Sequence, residues 1–344
     1  MREHYEVREE DIAAFERDGA VVLRGVLDNE DIATLAGGIT QVVQGLGDSV
    51  TGYDLSDLRH VVFEQDQNSA DTGGAAQYDV SGLAQYLKAV GSKPLVDNFD
   101  GEEAKGHFRL DSTTWRRYRP IRKMALDSVL PEIAGQIMRS PKVNYCDDQI
   151  FVKDPMTKDR TAFHQDYTYF HLKGWQGCVM WVCVDPATPE SGVPYYVRGS
   201  HKWGKEYKTN PFLVQTSFPD AVGEDLPEIS GHEEDYDLVR FETKPGDVLI
   251  HHFRTIHGAS GNHSNLPRRA ASLRYIGQDM RYFNRPGAPA QPYHDHNLKD
   301  GDVLDSRSFP VVWPKPYPGF ALTPLYDAPA EPAAQPKEKP AAAA

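Results

Sequence analysis

Residues 160–170 read Arg160-Thr161-Ala162-Phe163-His164-Gln165-Asp166-Tyr167-Thr168-Tyr169-Phe170. Within this stretch His164 and Asp166 stand two apart. In an extended chain, residues i and i+2 project from the same face. An imidazole and a carboxylate therefore converge on one point. A third donor must come from elsewhere, and His257, in Thr255-Ile256-His257-Gly258-Ala259-Ser260, is the best placed. It follows the apolar run Asp247-Val248-Leu249-Ile250, as a strand-borne ligand does. Two histidines and one carboxylate, with coordination positions left open, are the ligand set of non-heme Fe(II) oxygenases. A lone His-x-Asp recurs by chance in surface loops. Here Arg268 adds weight, eleven residues after His257 at the start of the strand-like run Ala270 to Ile276. An arginine beside a metal can hold a carboxylate through two parallel hydrogen bonds, and 2-oxoglutarate carries such a group at its far end.

Composition narrows the remaining possibilities. The 344 residues are 40% hydrophobic and 25% charged, ordinary for a soluble globular chain and enough for a self-sufficient core. A net charge of −13 argues against a nucleic-acid groove or an anionic membrane surface. No apolar run approaches the roughly 18 residues of a membrane span. The start, Met1 to Arg8, lacks the apolar stretch of a signal peptide, and the terminal alanines carry no peroxisomal ending. Cys146, Cys178 and Cys183 fit no zinc spacing and lie among strand-like apolar neighbours, so they read as buried thiols in a reducing cytoplasm.

Along the chain, residues 7–18 predict a short helix, Ala20 to Leu23 a strand, and about Ile32 to Leu46 a helix whose N-cap lies in Asp28-Asn29-Glu30-Asp31. Residues 47–80 read as irregular loops, and 82–98 and 128–138 as helices. The cluster Trp115-Arg116-Arg117-Tyr118-Arg119 reads as a solvated face with packed aromatics. From Lys142 the pattern turns to strands: 143–153, 177–185, 195–198 and 270–278. Residues 237–241 and 248–253, joined by Lys244-Pro245-Gly246-Asp247, read as an antiparallel pair. The acidic stretch 201–236 is long for a loop in a compact domain, which marks it as functional or mobile. Short strands joined by turn residues point to a sandwich or barrel.

These pieces resemble the phytanoyl-CoA dioxygenase family. The resemblance rests on Phe15 to Leu27, Asp148 to Lys153, the His164-Gln165-Asp166 core, Trp181 to Pro186, Val197 to Gly204, Pro245 to Val248, His257-Gly258 and Pro267 to Ala270, in order over about residues 10–285. It implies a mainly β fold with flanking α, a double-stranded β-helix (a cupin-like jelly roll) preceded by N-terminal helices. On that reading 1–325 is a single domain: a helical part over about 1–140, the jelly-roll core over about 141–285 and an extension over 286–325. Residues 326–344, rich in Pro and Ala, read as a disordered tail.

The resemblance also implies an activity: dioxygenation of a small organic molecule with Fe(II), 2-oxoglutarate and O₂, releasing succinate and CO₂, by a monomer or homodimer. Desaturation, epimerisation or ring closure by the same class, or a non-catalytic cupin-like metal-binding protein, are the alternatives. Zinc accepts the same donors, but a carboxylate clamp at Arg268 suits an iron site. Family spacing selects Arg268 over Arg269, which is left as a surface charge. Thr161, Tyr169 and Phe170 are candidate walls for the cosubstrate. A serine two places after the distal histidine often helps bind it; here Ala259 stands there and Ser260 follows. Gln149, Lys153 and Trp181 are substrate candidates, and one of His251 and His252 must face inward. In related halogenases a small residue replaces the carboxylate ligand and halide takes its place, so an intact Asp166 favours hydroxylation.

Overall fold

The computed structural model describes residues 2–64, 81–98, 105–289, 291 and 297–315. In chain order the helices and strands are α1 (Glu9–Asp18), β1 (Ala20–Leu23), α2 (Asn29–Gln44), β2 (Gly52–Asp54), α3 (Leu55–Arg59), α4 (Ser81–Ala89) and β3 (Phe108–Ser112). Then come α5 (Arg119–Asp127), α6 (Leu130–Ile137), β4 (Val143–Lys153), β5 (Thr161–His164), β6 (Leu172–Lys173), β7 (Gly177–Cys183) and β8 (Tyr195–Val197). The last are β9 (Leu238–Arg240), β10 (Val248–His252), β11 (His257–Ala259), β12 (Arg268–Gly277), β13 (Arg281–Tyr282) and β14 (Val311–Trp313). Among the described residues no helix is long and apolar enough to cross a membrane.

A large antiparallel sheet runs β1-β10-β7-β12-β4-β3-β2, with β14 also on β4, and a smaller one runs β5-β11-β8-β9. This is the jelly roll. The pleat divides the large sheet into two faces. Ile150, Val152, Met180, Val182, Val248, Ile250, Ala271 and Leu273 turn outward into one apolar cluster. There Leu35, Ile39 and Val42 of α2, Ile121 and Met124 of α5, and Ile133 and Ile137 of α6 cover them. The alternate residues look inward, among them Phe151, Trp181, His251, Arg268, Ser272 and Arg274. The helices thus seal one face of the sheet and leave the other to build a site.

Several local readings change. α2 starts at Asn29, three residues early, because Asp28 and Asp31 cap each other: Asp31 N donates to Asp28 Oδ1 at 2.9 Å and Asp28 N to Asp31 Oδ2 at 3.2 Å. Residues 52–64 are not irregular. They form β2, α3 and a turn of π-helix, with Asp54 accepting from the N–H of Ser56 and Asp57 to start α3; residues 65–80 lie outside the described residues. α4 stops at Ala89, because Gly91 takes φ +68° and Pro94 follows. Trp115 and Arg116 are buried, so that cluster is not a solvated face. β9 and β10 do not pair. β9 joins β8, while β10 enters between β1 and β7. β10 is buried along its whole length and β9 is not. Asp247 ties the turn before β10 to the N-terminal segment, accepting from Gly25 N (2.9 Å) and Arg24 Nη1 (2.8 Å), and that steers β10 alongside β1.

The N-terminal segment also reaches the site. Gly19 sits at φ +78°, where a Cβ would lie 2.5 Å from His201 Nδ1 and from Thr255 Oγ1. Its carbonyl accepts from Thr255 Oγ1 (2.8 Å) and His252 N (2.9 Å), fixing the turn that leads into His257. Gly19→Ala is expected to cost at least about 1–2 kcal/mol, from the left-handed backbone alone. The check is a lower urea midpoint with an unchanged slope.

Candidate active site

His164 ends β5 and His257 begins β11, and the two are register partners across the small sheet. Asp166 follows two residues after His164, and all three are buried. One donor atom from each lies within 4.8 Å of the others. The imidazoles are set for metal binding by their own backbone. His164 Nδ1 lies 2.8 Å from the Ala162 carbonyl, and His257 Nδ1 3.0 Å from the Thr255 carbonyl. A carbonyl oxygen only accepts, so both Nδ1 atoms carry the proton and both Nε2 atoms keep a lone pair for an ion. Burial, above all, pushes both imidazoles below the ordinary histidine range, so they stay neutral.

Asp166 is the one anion of this group. Burial by itself would raise its carboxyl. The Arg274 guanidinium beside it and a hydrogen bond from His251 outweigh that and hold it well below the usual carboxylate range. Arg274 Nε and Nη2 donate to Oδ1 at 3.1 and 2.8 Å, and His251 Nε2 donates to Oδ2 at 3.0 Å. His257 Nε2 is 3.5 Å from the same Oδ2. Two neutral nitrogens and one charged oxygen match the donor set of a non-heme iron centre.

A cavity opens from the triad, with about 450 Å³ of empty space including its mouth. Thr161, Trp181 and Arg268 line it with the triad, as do Phe108, Phe151 and Ser272. Arg268 is 3% exposed and its Nε has no hydrogen-bond partner among the described residues. Burial lowers its guanidinium to about 10, still charged at neutral pH. A buried, charged fork without an anion is a binding site for one. Arg269 faces the other way and is not a bare surface charge: it makes a two-pronged pair with Asp185, at 2.9 and 2.7 Å.

Other candidates from the sequence are engaged by neighbours within the protein. Tyr169 stacks on Phe212 (5.4 Å between centroids, 8° between planes), and its hydroxyl donates to the Asn210 carbonyl at 2.7 Å. Phe170 packs on Phe253, with the Arg274 guanidinium 5.2 Å from its ring centroid. Ser260 Oγ donates to the Pro189 carbonyl. Lys153 is buried, with Nζ on the carbonyls of Asp159 (2.8 Å) and Ser260 (2.6 Å). Gln149 Oε1 accepts from Arg274 Nη2 at 2.6 Å. Each of these side chains has an internal partner that spacing alone does not reveal. Two residues with a part in the site went unassigned. Arg274 was legible in principle, since it lies six after Arg268 and so on the same pleat face. His251 is the inward member of its pair; its neighbour His252 packs against Trp175 instead.

The segment 210–215 of the long insertion borders β5, the strand that ends in His164. Phe212 O accepts from Ala162 N (2.8 Å), and the Asn210 and Gln215 amides donate to the Phe163 carbonyl at 2.9 and 3.0 Å. Phe212 takes φ +62°, which a bulky residue adopts only where its surroundings enforce it. Its ring meets His164 edge-on at 4.8 Å.

A double-stranded β-helix with two histidines, one carboxylate and a buried arginine, its Nε unpartnered among the described residues, in one cavity defines a non-heme iron, 2-oxoglutarate-dependent oxygenase. The chain belongs to the phytanoyl-CoA dioxygenase family, whose sequence profile matches residues 15–270. It is 25% identical over 284 residues to the phytanoyl-CoA dioxygenase domain-containing protein 1 homolog of Caenorhabditis briggsae, covering 75% of this chain and 87% of the relative. Among solved structures it is similar to the non-heme alpha ketoglutarate dependent carbocyclase SnoK from nogalamycin biosynthesis (TM-score 0.58, 20% identity, 89% of this chain and 96% of that one). A second is the epimerase SnoN in complex with Fe3+, alpha ketoglutarate and nogalamycin RO (TM-score 0.57, 19% identity, 88% and 98%). At such identities these two likenesses speak for the fold.

Tyr169→Phe is expected to cost about 1–2 kcal/mol, since the hydroxyl both donates to and accepts from Asn210. Metal affinity should be unchanged. Urea unfolding and a Co(II) titration of the same variant test the two halves separately.

Proposed function

We propose that the protein hydroxylates a small organic molecule in this cavity, consuming 2-oxoglutarate and O₂ and releasing succinate and CO₂. The observation that carries the proposal is the pairing, in one cavity, of a triad with both Nε2 lone pairs available and a buried arginine whose Nε has no partner among the described residues. His164, Asp166 and His257 would hold Fe(II), and Arg268 would hold the far carboxylate of 2-oxoglutarate. Bound iron supplies the activation of O₂ coupled to decarboxylation. The chain supplies orientation and dryness. Trp181 lies beneath the Arg268 guanidinium, 5.7 Å from it, and keeps the fork aimed along the cavity. Phe108 and Phe151 give an apolar wall, suited to a substrate carbon rather than to water. With the Asp166 carboxylate as a ligand, a halide would find no vacated position there, which favours oxygen transfer. Three buried, unpaired cysteines suit a reducing cytoplasm, and a monomer or a homodimer is compatible with a site built within one chain.

The first test is succinate formation from 2-oxoglutarate with Fe(II). His164→Ala, Asp166→Ala and His257→Ala should each abolish it. Their stabilities should differ. Asp166→Ala leaves the buried Arg274 charge alone, a loss of about 3–5 kcal/mol, while the histidine variants should melt near the parent. Near-normal turnover in any of the three would mean the ligands are misassigned; a parent that makes no succinate with iron would instead favour a non-catalytic metal-binding protein.

The cosubstrate clamp has its own test. Arg268→Ala should raise the 2-oxoglutarate requirement by one to two decades, since a charge-assisted bond contributes about 1.5–3 kcal/mol. Arg269→Ala should leave it near the parent value, because that side chain faces Asp185. Measured KM values for 2-oxoglutarate decide between them.

A further inference from the structure

Arg274 is placed where neither substrate nor cosubstrate is needed to explain it. It is 3% exposed and lies six residues beyond Arg268 on the cavity face of β12. Its Nε and Nη2 both end on Asp166 Oδ1, at 3.1 and 2.8 Å. Nη2 also donates to Gln149 Oε1 at 2.6 Å, and the Gln149 amide is anchored in turn on Ser112 Oγ at 3.2 Å. Gln149 and Ser112 are register partners on neighbouring strands, so this chain of bonds runs across the sheet. On the other side of the carboxylate, His251 Nε2 holds Oδ2 at 3.0 Å.

An ionised carboxylate offers about four lone-pair directions. Arg274 takes both on Oδ1 and His251 takes one on Oδ2. What remains is one direction on Oδ2, the oxygen 3.5 Å from His257 Nε2. We infer that Arg274, aligned by Gln149 and helped by His251, is a positioning residue that restricts Asp166 to one-oxygen ligation through Oδ2. The consequence is a protein ligand count of three on a six-coordinate ion, leaving room for a two-point cosubstrate and O₂. A carboxylate free to turn would offer both oxygens and close one of those positions. This inference rests on the iron reading of the site proposed above.

A simpler role for Arg274 is charge balance for a buried Asp166. The two roles differ in what a lysine can do. Lysine keeps the charge as a flexible point and lacks the fork that fills both directions on one oxygen. The experiment titrates the full-length protein with Co(II), following affinity by calorimetry and ligand number by the intensity and shape of the visible absorption. The parent should bind one Co(II) with the weak bands of a six-coordinate ion. Arg274→Lys and Arg274→Gln should each lose about 10–100-fold in affinity and change the band shape. Gln149→Leu removes no charge and should shift both readouts the same way by a smaller amount. Parent-like affinity and spectrum in Arg274→Lys would overturn the positioning role and leave charge balance. Should the Arg274 variants not fold, Gln149→Leu decides: a changed spectrum supports the inference, and an unchanged one overturns it. A parent that binds no Co(II) overturns the iron reading and this inference with it, whereas a binding parent with unaffected variants overturns this inference alone.

Discussion

The ion pair between Asp166 and Arg274 is the constraint around which the inner face of the barrel is arranged. A carboxylate 3% exposed is costly unless matched by charge and hydrogen bonds. Its match comes from a strand at the centre of the large sheet, and that strand is held in register by β4 on one side and β7 on the other. The same register places Arg268 further along the same face. One strand therefore carries both cations of the site, one already paired and one open to a ligand. Its alternate residues, Ala271, Leu273 and Tyr275, anchor it in the helical layer, where the Tyr275 hydroxyl donates to the Ala125 carbonyl at 2.9 Å. The helices do no chemistry; they fix the strand that does.

Much of this was legible in the sequence, for identifiable reasons. His164 and Asp166 share a local geometry, since two residues apart in an extended chain is enough to bring them together. The pleat puts Arg268 and Arg269 on opposite faces of one strand, and the family resemblance chose Arg268 as the inward one. What escaped was long-range. The partner of β10 depends on an N-terminal strand more than two hundred residues earlier. Tyr169, Ser260 and Lys153 carry the chemistry expected of a site, but their polar atoms meet backbone carbonyls of other loops. Residue type and spacing do not reveal such a partner. Gln149 is the instructive case, because the resemblance made it a substrate candidate while the group its carbonyl meets is the Arg274 side chain.

The long insertion is also clearer in structure than in sequence. β5 is the edge of the small sheet, and an edge strand leaves unpaired backbone groups. Residues 210–215 satisfy two of them, Ala162 N and the Phe163 carbonyl, and bring Phe212 against His164. A stretch with little regular structure thereby acts as the outer wall of the site, and its strained φ at Phe212 is consistent with that placement.

The pairing of His164 with His257 has a further consequence, for the life history of the molecule. The two histidines face each other across a strand pair, yet the strands β6 to β10 lie between them in sequence. Closing so large a loop is entropically expensive and kinetically slow. A chain emerging N-terminus first exposes His164 and Asp166 long before His257 is synthesised. During that interval it has a two-donor fragment, not a cage. On the proposed reading, a redox-active ion would therefore meet the full donor set only in molecules whose topology is already complete.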